Sequence, residues 1–196
     1  MSTAVSLFLT AAAALTVENF LFTGAVGFSR MLRSARKPEH RGWYALFVTL
    51  FSCVSAELSL LLPASLFPAG TSFWFRPLAL ALCAAAAYAL AAFLLRRFLP
   101  GFTRKHGAVL APAAINTVVL AMPYAQRAVG ANAAEALFYA LGCGAAFYLG
   151  SLVLTPAYAR CRHQAVPDCF RGLPASLLYI AILSLAFLGF TGGRIF

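Results

Sequence analysis

The stretch Thr16-Val-Glu-Asn-Phe-Leu-Phe-Thr-Gly-Ala-Val-Gly-Phe-Ser-Arg30 interrupts an otherwise apolar run that begins at Ala4. It sets Glu18 and Asn19 near the middle of that run, which ends at Phe28, and then loosens the backbone at Gly24 and Gly27. A carboxylate at the depth of a bilayer core costs a few kcal/mol, so it needs a partner, a proton or a water-lined cavity. Glu18 and Asn19 are therefore candidates for a polar site at the midplane. A second break, Ala111-Pro-Ala-Ala-Ile-Asn-Thr-Val-Val-Leu-Ala-Met-Pro-Tyr124, sets Asn116 and Thr117 inside another apolar segment, between Pro112 and Pro123. One such weak point falls in each half of the chain.

With 62% hydrophobic and 10% charged residues and a mean hydropathy of +0.85, 196 residues carry more apolar surface than a single soluble core can hide. The composition is that of an integral membrane protein. The opening Met1-Ser-Thr-Ala has no basic residue, and the first arginine, Arg30, comes after the apolar run, which argues against a cleaved signal peptide. Six apolar segments follow, at about 4–28, 42–62, 74–95, 107–126, 133–158 and 173–190, each long enough for a roughly 30 Å core when tilt is allowed. Arg30, Arg33, Arg36, Lys37 and Arg41 follow the first, Arg96, Arg97, Arg104 and Lys105 the third, and Arg160, Arg162 and Arg171 the fifth. The opposite side holds only Arg76, Arg127 and Arg194. Twelve against three is a positive-inside bias that puts both termini outside the cytoplasm. The net charge of +10 is then a topology signal in a lipid bilayer, and nucleic-acid binding is not expected.

The remaining residue types carry little chemistry. Cys53, Cys83 and Cys143 lie in apolar segments, where a thiol packs well, and Cys161 and Cys169 fall in an expected cytoplasmic loop, where thiols stay reduced. His40, His106 and His163 read as solvated residues of basic loops, and Glu57 lies near enough to the outer interface to be hydrated. No catalytic triad, phosphate-cradling glycine loop, paired carboxylates or metal-ligand spacing is present, so catalysis by this chain alone is not expected. Asn132 with Glu135 three residues on predicts the start of the fifth segment. Gly142, Gly144 and Gly150 inside that segment, and the alanines from Ala84 to Ala92 in the third, predict close helix contacts. Pro123, late in the fourth segment, predicts a kink or an early stop.

At an offset of 95, Phe75, Arg76, Leu78, Leu82, Ala86, Leu90 and Ala91 face Phe170, Arg171, Leu173, Leu177, Ala181, Leu185 and Ala186, seven identities in twenty positions. With a shift of about two, Asn19 faces Asn116. The chain therefore reads as one all-α membrane domain, 1–196, of two three-helix repeats, about 1–100 and about 101–196, with helices 1 and 4 interrupted. An odd number of spans per repeat inverts the second in the membrane, an arrangement that places a working site at the midplane between broken helices.

Val17-Glu-Asn-Phe20 with Gly27, Leu110-Ala-Pro-Ala-Ala-Ile-Asn116, Val166-Pro167, Phe170-Arg-Gly172 and Ser184-Leu-Ala-Phe-Leu-Gly-Phe-Thr-Gly192 resemble the six-span subunits of Rnf and Nqr electron-transport complexes. The likeness runs over nearly the whole chain and is nearest the A subunit of Rnf and the E subunit of Nqr. It implies a bacterial-type inner membrane, partner membrane subunits that include an oppositely oriented sister, and a [2Fe-2S] cluster held by two cysteines from each of the two. The family's cysteine positions, two after the glycine of the first span and one after the asparagine of the fourth, are Ser29 and Thr117 here. A neutral hydroxyl does not supply the soft thiolate that iron takes, so no cofactor ligand is expected from this chain. Three readings stay open: a cluster-free paralog with a scaffold role, a stand-alone permease for an ion or small polar solute at an oxygen-lined midplane site, and an electron carrier that uses Cys53, Cys83 or Cys143.

Overall fold

A computed structural model describes residues 3–16, 20–24, 26–36, 38–61, 72–98, 100–128, 132–164 and 166–190. Glu18 and Asn19 lie outside the described residues. Among those described, every regular element is a helix. The first apolar run breaks into α1 (Thr3–Leu15), α2 (Phe20–Thr23) and α3 (Phe28–Arg36). α1 closes at Thr16, whose hydroxyl donates back to the Ala12 carbonyl at 2.8 Å.

α3 is a departure from expectation. Residues 30–41 read as a connecting loop because they are dense in arginine, yet 28–36 form a helix and Pro38–His40 a 3₁₀ turn. The physical reason is periodicity: Met31, Leu32 and Ala35 are buried on one face, while Arg33 and Arg36 stand exposed on the other. Two arginines in its last turn also suit the negative end of the helix dipole.

The remaining helices are α4 (Arg41–Leu61), α5 (Ser72–Phe98), α6 (Pro100–Ala114), α7 (Thr117–Ala128), α8 (Ala133–Arg160) and α9 (Leu173–Phe190). Four stretches, Arg41–Leu61, Pro77–Phe98, His106–Ala125 and Ala133–Arg160, are long and apolar enough to cross a membrane, and Val5–Leu15 and Leu173–Gly189 are shorter apolar helices. The chain is a multi-pass membrane protein. α8 starts where Asn132 and Glu135 place it: the Asn132 backbone is extended, and its N–H donates to Glu135 Oε2 at 3.0 Å. Before α9, residues 161–164 and 166–172 are tied together by Arg171, which pairs with Asp168 at 2.7 Å and donates to the Gln164 and Val166 carbonyls.

α4 and α8 form the centre of the bundle and run antiparallel. Arg41 donates to Thr155 Oγ1 at 3.0 Å, the Tyr44 and Phe147 rings lie 5.6 Å apart, and Thr49 presses on Gly144. α1 and α3 follow α8 in the same direction: Ala11 and Ala14 abut Gly142, and Met31 abuts Gly150. α6 and α7 follow α4, with Tyr44 bonded to the Pro112 carbonyl and Ser55 to the Val119 carbonyl. Each central helix thus carries the broken helix of the other half, and the two broken helices point in opposite directions.

The glycines of α8 make this packing possible. A Cβ at Gly142 would run into the Ala11 carbonyl oxygen, and one at Gly144 into the Thr49 side chain. Close backbone approach supplies van der Waals packing where lipid offers no hydrophobic drive between helices. The alanines of α5 divide: Ala91 and Ala92 are half-buried and pack against the core, and others face outward. Ala85, Ala86 and Ala89 are exposed, as are Leu82, Leu90 and Phe93. Leu173, Leu177, Ile182 and Leu185 leave α9 equally uncovered.

Candidate functional site

The break in the second half is built from three hydrogen bonds. α6 ends at Ala114, and the Pro112 carbonyl, which a continuous helix would pair with the Asn116 N–H, accepts instead from the Tyr44 hydroxyl at 3.0 Å. Asn116 opens α7: its Oδ1 accepts from the Val118 N–H at 3.3 Å and its carbonyl from the Leu120 N–H at 3.1 Å. Its side-chain amide is fully buried, and Nδ2 has no partner among the described residues. An unsatisfied buried donor costs about 1–3 kcal/mol, so this amide is a point of strain in the break.

The break in the first half meets this one. Gly27 adopts φ 83°, the left-handed region that suits a residue without a Cβ, and its carbonyl starts α3 by accepting from the Arg30 and Met31 N–H groups. A Cβ there would lie 2.5 Å from Val118 Cγ2, 3.6 Å from Asn116 Oδ1 and 3.8 Å from the Phe147 ring. Gly27 and Asn116, separate weak points in the sequence, are thus neighbours in space.

Ser29 and Thr117 flank this contact within two residues, and both are exposed. Ser29 opens on a groove of about 340 Å³ lined by Leu32, Arg33, Leu173, Leu177 and Ile180. Cys143 is buried in α8, Cys53 and Cys83 are half-buried, and among the described residues no three histidine, cysteine or acidic side chains are grouped as a metal site. Glu57 is half-buried on α4, and its Oε1 lacks a partner among the described residues.

One of the three histidines departs from expectation, while His163 is exposed as expected. His106 lies in α6, buried, with its ring 4.8 Å from that of Trp43 and 6.1 Å from that of His40. It is a packed residue because α6 begins at Pro100, earlier than the apolar segment suggested.

Two supporting residues, Tyr44 and Ser55, have no signal of their own in the sequence. Pro123 lies inside α7 without ending it, although it has no N–H for the Val119 carbonyl; the Ser55 hydroxyl fills that gap at 2.8 Å. The signal that could find them is indirect: each interruption of a helix in an apolar medium leaves a carbonyl that some hydroxyl must satisfy.

Residues 7–193 match a family model described as "Rnf-Nqr subunit, membrane protein". The chain is 26% identical over 176 residues to the A subunit of the ion-translocating oxidoreductase complex of Cereibacter sphaeroides, covering 90% of this chain and 91% of that one. It is 22% identical over 182 residues to the A subunit of the Na⁺-translocating ferredoxin:NAD⁺ oxidoreductase complex of Acetobacterium woodii, covering 93% and 95%. A third relative, the A subunit of the ion-translocating oxidoreductase complex of Serratia proteamaculans, is 27% identical over 182 residues, covering 90% and 91%.

Proposed function

Because this chain belongs to the Rnf-Nqr family of membrane subunits, we propose that it is a structural member of an ion-translocating electron-transport assembly that supplies no ligand to an iron-sulfur cluster. The observation that carries this reading is the Gly27–Asn116 contact, where the two breaks meet and the flanking positions hold the hydroxyls of Ser29 and Thr117. Hydroxyls keep their protons at neutral pH and give iron no anionic sulfur. The buried Cys143 and the scattered Cys53 and Cys83 do not compensate, so the donor set does not fit a [2Fe-2S] cluster.

In this reading the chain forms six spans in two inverted repeats, about 1–100 and about 101–196, within one membrane domain. It lies in a bacterial-type inner membrane with both termini outside the cytoplasm. Support comes from the opposite directions of the two broken helices and from their reciprocal packing, α1 and α3 on α8, and α6 and α7 on α4. The exposed apolar faces of α5 and α9 are surfaces that lipid and neighbouring membrane subunits would cover, including a sister of opposite orientation. By their place in the sequence, Glu18 and Asn19 are the candidates to share a midplane polar site with Asn116.

A free-standing permease is the competing reading, and it draws on the unpartnered Asn116 Nδ2. That group is a donor. It suits a carbonyl, carboxylate or water oxygen and not a bare cation, so an oxygen-lined cation site gains nothing from it. The test is purification of the full chain, alone and with its membrane partners, followed by iron analysis and liposome transport. The proposal expects no stoichiometric iron and no transport from the chain alone, and stable association with a cysteine-bearing family member. Iron retained by the isolated chain would overturn the ligand argument, and transport by the isolated chain would overturn the subunit role.

A further inference from the structure

A cavity of about 270 Å³ lies among α3, the Pro38–His40 turn, α4 and α6, with Tyr44 and Pro112 on its wall. Arg30, Arg33 and Ser34 line it from α3, His40 from the turn, Tyr44 from α4, and Ala108, Val109 and Pro112 from α6. Neither arginine forms an ion pair among the described residues, and the one acidic residue of the 28–41 segment, Glu39, is exposed. Ser34 is 8% exposed, and its Oγ has no hydrogen-bond partner among the described residues. His40 Nδ1 is likewise buried, without a partner among the described residues. A buried hydroxyl without a partner is costly, and two guanidinium groups at one mouth leave an uncompensated positive field.

We infer that this cavity binds the phosphate of an anionic phospholipid. Arginine presents a fork of N–H groups that matches phosphate oxygens, and the Ser34 hydroxyl supplies one more donor. The opposite wall of Ala108, Val109 and Pro112 is apolar, as the glycerol and first acyl carbons of a lipid require. α3 gives the site its register: Arg30 and Ser34 are four residues apart on one helix, with Arg33 between, so the three reach one cavity. Basic pockets between membrane helices are a recurrent way of holding such headgroups.

The test is thermal unfolding of the full chain in neutral detergent, titrated with phosphatidylglycerol, phosphatidylcholine or inorganic phosphate. Phosphatidylglycerol should raise the melting temperature saturably and phosphatidylcholine should not. Arg30→Gln and Arg33→Gln should each weaken the apparent affinity about tenfold, and Ser34→Ala severalfold without any change of charge. Arg160→Gln, an exposed arginine at the end of α8, should leave it unchanged. An equal response to inorganic phosphate would assign the site to a soluble anion and overturn the lipid source. Equal losses from Arg160→Gln and Arg30→Gln, or no response to phosphatidylglycerol, would overturn the site itself.

Discussion

Replacing Gly27 with alanine tests the junction of the two breaks with a single methyl group. The glycine sits at φ 83°, where a residue with a Cβ pays roughly 1–2 kcal/mol. The added carbon would also lie 2.5 Å from Val118 Cγ2, and Val118 and the nearby Phe147 are both fully buried, so neither side can retreat freely. Overpacking of this kind costs about 1–3 kcal/mol, which brings the total to roughly 2–5 kcal/mol. A double-mutant cycle separates the two terms. Val118→Ala alone should cost roughly 2 kcal/mol through the cavity it leaves. In the Gly27→Ala, Val118→Ala double variant the clash is gone while the backbone cost and the Val118→Ala loss remain, so the total should fall short of the sum by about 1–3 kcal/mol. Unfolding in mixed detergent micelles, followed by circular dichroism, measures all three. A loss under about 0.5 kcal/mol for Gly27→Ala, or additivity across the cycle, would refute the placement of Gly27 against Val118.

Other consequences follow from the same packing. Ser55→Ala should destabilise the chain by about 1–2 kcal/mol because the Val119 carbonyl loses its donor, and Pro123→Ala should remove most of that loss by restoring a helical N–H; the same unfolding assay reads both. Gly142→Ala should cost at least about 2 kcal/mol, since its Cβ would strike the Ala11 carbonyl, while Gly101→Ala, with open space around it, should be close to silent. Ser29→Cys combined with Thr117→Cys, in the chain assembled with a cysteine-bearing family member, should raise bound iron and visible absorbance above wild type; equal iron in both would mean that these positions lie off the ligand sphere.

How much of this is legible in the sequence depends on the range of the interactions involved. α4, α8 and α9 begin and end within a few residues of the apolar segments because charged residues, Asn132 and Gly172 punctuate them locally. α3 escapes a reading that counts arginines, because the count hides the helical spacing of Phe28, Met31, Leu32 and Ala35. The tolerance of Pro123 is not legible at all, since it rests on Ser55, 64 residues from the carbonyl it satisfies. Gly27 and Asn116 each stand out alone as interruptions, but their contact is a product of the α4–α8 core. The expected close contacts of Ala84–Ala92 form only in part within the chain: Ala91 and Ala92 pack against the core, while Ala85, Ala86 and Ala89 stay exposed, because small residues show only that a helix can be approached and not what approaches it.

The opposed directions of the two broken helices are tested most directly by single-cysteine labelling on a background without the native cysteines. Ser6→Cys, in α1, and Thr103→Cys, in the first turn of α6, mark the corresponding ends of the two. A membrane-impermeant thiol reagent applied to intact cells or spheroplasts should reach position 6, and position 103 only after the membrane is opened. Labelling of both positions from the same side would contradict the inverted arrangement, and with it the meeting of the two halves at Gly27 and Asn116.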